Sequence, residues 1–199
     1  MYKPSAEEIK KLRELTGAGM LDCKNALIEF EGSIEKAIED LRKKGIAKAA
    51  KRMDRETTQG VIASYIHMGN QIGSLVELNC ETDFVAKNEE FVNLAKEIAV
   101  QIAAMSPLSI SPEDLDPAIV EKEKEIIREQ LKQEGKPEHI LDKIIQGKLE
   151  KFYEEVCLLR QPFYKNQDIR VEEYLKEYIS KFGENIRVAR FTRYQIGSW

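Results

Sequence analysis

The sequence predicts an α+β protein: a three-helix N-terminal module, then a core in which an antiparallel sheet packs against helices. Three observations predict it. Up to Gly45, apolar side chains recur at helical spacing. Between Val61 and Cys80 the period shortens to that of strands, around a Met68-Gly69-Asn70-Gln71 turn. A last strand-like run, Asn185 to Ile196, returns after a long and mostly helical stretch. Helices and strands segregated in this order belong to α+β architecture rather than to a parallel sheet with crossover helices.

Taken in order, Ser5 and Glu8 form a capping box ahead of Ile9, Leu12 and Leu15, a helical stripe that Gly17 stops. A second helix runs from about Met20 to Phe30 with Ala26, Leu27 and Phe30 on one face, and Gly32 ends it. Ser33 is the expected cap of the third, whose Ile34, Ala37, Ile38 and Leu41 form its apolar stripe up to Gly45. Residues 42–55 are basic and Ala-rich and read as a helical linker, so the expected division is a docking module over 1–54 and a core and dimerisation domain over 55–199. The hairpin follows. Thr82 or Asn88 then caps a helix with a long stripe, Phe91, Leu94, Ala95, Ile98, Ala99, Ile102 and Ala103, which must pack on the sheet. Pro107, Pro112 and Pro117 enforce a loop. Two charged helices, about 118–134 and 137–159, flank Gly135-Lys136-Pro137. Leu158 to Gln167 has aromatics but no period and reads as an ordered loop, and a short helix over 171–182 ends at Gly183.

Composition narrows the function. Hydrophobic residues make up 42% and charged residues 33%, as in a globular chain with a highly charged surface. The formal net charge of −4 does not favour a nucleic-acid partner for the molecule as a whole. The alternative, an RNA contact through the basic run 42–55, lacks interleaved aromatics for base stacking. Cys23, Cys80 and Cys157 are odd in number and widely spaced, which suits a reducing cytoplasm better than a disulfide or zinc framework. The opening M-Y-K-P-S-A-E-E has no apolar core, which argues against a signal peptide, and no apolar run is long enough to span a bilayer. The expectation is a cytoplasmic protein with no membrane association.

Catalytic equipment is sparse. The sequence contains no G-x-x-x-x-G-K-[ST] and no G-x-G-x-x-G phosphate cradle. His67 and His139 read as surface or strand-edge residues, and no His pair stands at zinc spacing. The sequence therefore predicts no metal site, no cofactor and no covalent chemistry. Cys80 allows a redox-sensitive thiol or a buried strand-end side chain.

Two stretches are too specific for scaffold. Leu12 to Leu27 reads L-R-E-L-T-G-A-G-M-L-D-C-K-N-A-L and places Met20 and Leu21 at a helix start behind glycines. Residues 77–88 read E-L-N-C-E-T-D-F-V-A-K-N and put a large aromatic at a strand-to-helix junction, where small polar residues are usual. With residues 135–163 and G-E-N-I-R-V-A-R-F-T-R-Y at 183–194, they closely resemble, in order and over nearly the whole chain, the elongation factor Ts family.

The resemblance implies a ubiquitin-associated-like N-terminal module that docks on the translational GTPase elongation factor Tu. It implies a guanine-nucleotide exchange factor that promotes GDP release by dislocating the partner's Mg²⁺ site through Thr82, Asp83, Phe84 and Val85. Arg13, Met20, Leu21 and Lys24 are the implied docking contacts. Longer family members carry a second core subdomain with a coiled-coil insertion, for which this chain is too short, so the resemblance also implies a homodimer and a 2:2 complex. On this reading Phe84 is a wedge held in solvent until the partner offers a cavity, and Asp83 caps the following helix or bonds the partner.

Overall fold

The computed structural model describes residues 2–135 and 137–198; Lys136 and the side chain of His139 lie outside the described residues. The fold is α+β, as the sequence predicts. Two compact units divide it. One comprises the chain up to Val61, Leu78–Val92 and Glu173–Ala189; the other comprises Ile62–Glu77, Asn93–Glu172 and the chain from Arg190 on.

The first unit begins with helices α1 (Ala6–Thr16), α2 (Met20–Glu29) and α3 (Ile34–Ala50). Local chemistry sets the ends of α1. Ser5 Oγ accepts from the Glu8 N–H, the Glu8 carboxylate accepts from the Ser5 N–H, and Gly17 closes the helix at φ 66°, a left-handed setting that costs glycine no Cβ clash. The core of the three helices is Leu12, Cys23, Ala26, Leu27, Ala37 and Leu41.

Three expectations fail here. Leu15 is not in that core: it is 58% exposed, although Leu12, three residues earlier on the same stripe, is fully buried. Ser33 stands at the N-cap of α3 with extended backbone, but its side chain makes no capping bond. Gly45 does not stop α3, which continues to Ala50. A Cβ there would lie 2.8 Å from Ser180 Oγ and 3.3 Å from Ser180 Cβ, on helix α8 (Val171–Phe182). Glycine is disfavoured inside a helix by about 1 kcal/mol; here it allows two helices to approach closely. Arg42, one turn earlier, reaches Glu177 of α8 at 2.8 Å. Burial raises the Glu177 carboxyl above its ordinary range, against the lowering effect of that guanidinium.

Strands β1 (Gln59–Ile66) and β2 (Ile72–Cys80) form the predicted hairpin, and β5 (Ile186–Gln195) completes an antiparallel sheet ordered β1-β2-β5. As the chain advances from Gln71, just before β2, to Glu77 within it, the neighbouring chain runs back from Ile196, just after β5, to Arg190, through an Ile196 N–H to Gln71 carbonyl bond and an Arg190–Glu77 ion pair. Both proposed caps after β2 are used. Thr82 caps α4 (Asp83–Ala86), and Asn88 Oδ1 accepts from the Glu90 N–H at the start of α5 (Glu89–Met105). The predicted stripe from Phe91 to Ala103 is buried throughout.

In the second unit α5 lies on the sheet, where the buried Ser74 hydroxyl donates to the Ala99 carbonyl at 2.7 Å. Helices α6 (Pro117–Gln133) and α7 (Glu138–Val156) pack through a small apolar cluster of Ile127, Leu131, Leu141, Ile145 and Leu149. Helix α7 stops at Val156, short of the predicted end, because Cys157 turns extended and Leu158 and Leu159 donate to the carbonyls of Ser109 and Ile110.

The segment read as a loop holds a second hairpin, β3 (Pro162–Phe163) with β4 (Asn166–Arg170). Its strands are too short to show a period. The buried Gln101 amide of α5 holds it, donating to Gln161 Oε1 and the Pro162 carbonyl and accepting from the Tyr164 N–H. A lone Gln in an apolar stripe is thus a hydrogen-bonded anchor for backbone that would otherwise be buried unpaired.

Candidate functional site

The E-L-N-C-E-T-D-F-V-A-K-N stretch spans the end of β2, the single turn α4 and Asn88, which caps α5. Thr82 sits between strand and turn with extended backbone, φ −120° and ψ 155°. Its hydroxyl accepts from the Val85 N–H, and the Ala86 and Lys87 N–H groups close the turn on the carbonyls of Thr82 and Asp83. Val85 and Ala86 are buried, so the turn's inward face is fixed. Successive residues on a helical turn are about 100° apart, and Phe84 therefore faces away, 81% exposed. Among the four residues of the motif, Val85 anchors while Thr82, Asp83 and Phe84 are exposed.

The turn is fastened from the segment between α8 and β5. One Glu184 carboxylate oxygen accepts from the N–H groups of Glu81 (3.1 Å) and Thr82 (3.0 Å), and the other accepts from the Thr82 hydroxyl (2.6 Å). Glu81 in turn accepts from the Asn185 N–H at 2.6 Å, and the Asn185 amide donates to the carbonyls of Met53 and Arg55. The cap of α4 is Thr82, not Asp83. Asp83 instead pairs with Lys87 one turn on, at 2.6 Å, and that hydrogen bond, then the ammonium charge, holds its carboxyl below the ordinary range.

The residues expected to dock stand on the three-helix module, and all four are exposed: Arg13 on α1, Met20 and Leu21 in the first turn of α2, and Lys24 one turn further. Met20 and Leu21 are 48% and 68% exposed. Leu15 belongs with these exposed apolar residues; its place in the i, i+3 stripe disguised it as core. Glu184 and Asn185 lie in the G-E-N-I-R-V-A-R-F-T-R-Y stretch, but the sequence assigns them no structural role. Their role depends on contacts with residues more than a hundred positions away, which no local pattern reveals.

Cys80 is fully buried and donates to the Thr82 carbonyl at 3.2 Å. Burial, with Glu184 nearby, pushes its thiol up to about 11. Cys23 and Cys157 are buried and raised for the same leading reason. Among the described residues, no group of three or more His, Cys, Asp and Glu is placed to hold a metal ion, and no helix is long and apolar enough to cross a membrane.

The fold and the site define an α+β protein whose candidate functional groups are presented on its surface rather than gathered in a cleft. A model of the family described as elongation factor TS matches residues 6–198. Elongation factor Ts of Thermosipho melanesiensis is 58% identical over 193 residues, 97% of this chain and 98% of that relative. Elongation factor Ts of Fervidobacterium nodosum is 56% identical over the same length and shares. That of Desulforamulus reducens is 56% identical over 197 residues, 99% of this chain and 91% of the relative. The chain belongs to the elongation factor Ts family.

The thiol environment generates a prediction. Only the thiolate is alkylated, so in the native protein at pH 8 iodoacetamide should modify Cys80 at least about tenfold more slowly than in urea. The folded-state value near 11 stands above the ordinary 9.0. The resulting stabilisation is therefore complete below about pH 9 and is lost as pH rises toward 11. Urea midpoints measured across that window should fall, and fall less steeply in Cys80→Ala.

Proposed function

We propose that this chain is a guanine-nucleotide exchange factor that binds elongation factor Tu·GDP and promotes GDP release by disturbing the Mg²⁺ and nucleotide site, with Phe84 as an inserted wedge. Arg13, Met20, Leu21 and Lys24 of the module over 1–54 make the docking contact, and the core over 55–199 carries the wedge. The reaction takes place in the cytoplasm and involves no covalent step. The observation that carries the reading is an 81% exposed Phe84 on a turn whose next two residues, Val85 and Ala86, are buried and whose leading end is capped by the Thr82 hydroxyl.

The mechanism follows from linkage. A GTPase holds GDP through a phosphate loop and a Mg²⁺ that requires near-ideal octahedral geometry, so small displacements of its supports cost much affinity. A factor that binds the distorted GTPase more tightly than the GDP-loaded one weakens GDP by the same factor. Burying a Phe side chain contributes roughly 1.5–3 kcal/mol, and each 1.4 kcal/mol is tenfold, so the ring supplies about ten- to hundredfold if its pocket opens only in the distorted state. Asp83, paired with Lys87, is a weaker candidate for competing at the metal.

The chain acts as a homodimer in a 2:2 complex. Supporting this, Ile62, Ile66, Leu75, Tyr194 and Ile196 of the hairpin and the last strand's end are large apolar residues left exposed. Such residues mark surfaces that another chain covers. The alternative, RNA binding through 42–55, has less support. Arg42, Lys43, Lys44, Lys48 and Arg55 each meet a carboxylate, which lowers the local positive field.

Two variants test the proposal. Phe84→Ala should leave the urea midpoint within about 0.5 kcal/mol of the parent, since an exposed ring contributes little to folding. It should slow stimulated release of labelled GDP from elongation factor Tu by about tenfold or more; a destabilised variant with normal release would overturn the wedge. Sedimentation equilibrium should return twice the chain mass, and Leu75→Glu should halve it with the far-UV spectrum unchanged.

A further inference from the structure

We propose that Glu184 is a positioning residue for Phe84: its carboxylate sets the rotation of the Asp83–Ala86 turn and so the direction in which the ring is presented. The inference rests on the wedge reading and deepens it.

The hydrogen bonds leave little freedom. Thr82 has one hydroxyl proton, and it goes to Glu184 Oε1 at 2.6 Å. The hydroxyl lone pairs are thereby directed back at the turn, where one accepts from the Val85 N–H. The other carboxylate oxygen takes the Glu81 and Thr82 N–H groups, which fixes the last peptide before the turn. An ionised carboxylate is an acceptor only, so all three donors are satisfied without rearrangement. The tether also has a firm base. The adjoining Asn185 is buried and bound through its own N–H to Glu81 and through its amide to the Met53 and Arg55 carbonyls.

Burial of Val85 and Ala86 anchors the turn's inward side, and Glu184 clamps its leading end. Loss of the clamp leaves the core packing in place and lets the turn rock about that buried edge, which spreads the ring over several directions. Thr82 is exposed and Glu184 only half-buried, so water can replace the lost bonds. The consequence therefore falls on presentation of the ring more than on folding.

A kinetic cycle tests this with labelled-GDP release from elongation factor Tu, comparing the parent, Glu184→Gln, Phe84→Ala and the double variant over a range of factor concentrations. Glutamine keeps the length but supplies an amide nitrogen where two acceptor oxygens are needed. Glu184→Gln should lower the maximal release rate by about five- to tenfold and leave the half-saturating concentration unchanged, because the expected docking residues lie on the helical module. In the Phe84→Ala background it should have no further effect. An equal reduction in both backgrounds, or a raised half-saturating concentration at an unchanged maximal rate, would overturn the positioning role while leaving the wedge intact. A Phe84→Ala variant as fast as the parent would overturn both.

Discussion

The hydroxyl of Thr82 is committed on both sides, giving its proton to Glu184 and accepting from the Val85 N–H. On that arrangement depends the conformation of the strand-to-helix junction that places Phe84 in water. A strand entering a helix normally changes direction through flexible polar residues. Here the change of direction is itself hydrogen-bonded: the N–H groups of Glu81 and Thr82 donate to the Glu184 carboxylate, more than a hundred residues later in the sequence. The ring is therefore exposed and also aimed, which separates it from an apolar side chain that is merely left outside.

Rigidity and exposure have different energetic consequences. An exposed Phe contributes little to the stability of its own fold, and singly exposed apolar side chains are common. Fixing it in advance lowers the ordering cost when another molecule encloses it. The surrounding chain supplies that rigidity by ordinary means: buried Val85 and Ala86 under the turn, the Asn88 cap of the next helix, and a buried Cys80 that donates to the Thr82 carbonyl. The close contact of Gly45 with Ser180 and the Arg42–Glu177 pair hold α3 against α8, whose end leads directly into Gly183 and Glu184.

Features set by local chemistry were legible in the sequence. The Ser5–Glu8 box, the left-handed Gly17, the hairpin around Met68–Gln71, the Phe91–Ala103 stripe and the exposure of Phe84 all depend on residues close in sequence or on a clear period. What escaped depends on distant partners. Gly45 reads as no more than the end of an apolar stripe until Ser180 is seen beside it, and Leu15 reads as part of a buried stripe although it is exposed. Strands β3 and β4 are too short for a pattern; they pair with each other, and Gln101 bonds the Pro162 carbonyl and the Tyr164 N–H at their turn. Glu184, an ordinary-looking acid after a helix-ending glycine, gains its role only once the chain returns to the end of β2.

An exposed ring that binds the GDP-loaded and the distorted GTPase equally would speed nothing, because only differential binding shifts the equilibrium. The most direct measurement is the affinity of the parent and of Phe84→Ala for elongation factor Tu in its nucleotide-free and its Mg²⁺·GDP-bound states. The account predicts that removing the ring weakens binding to the nucleotide-free state by about tenfold or more and leaves binding to the GDP-bound state unchanged. An equal loss in both states would contradict it and reduce Phe84 to one more docking contact.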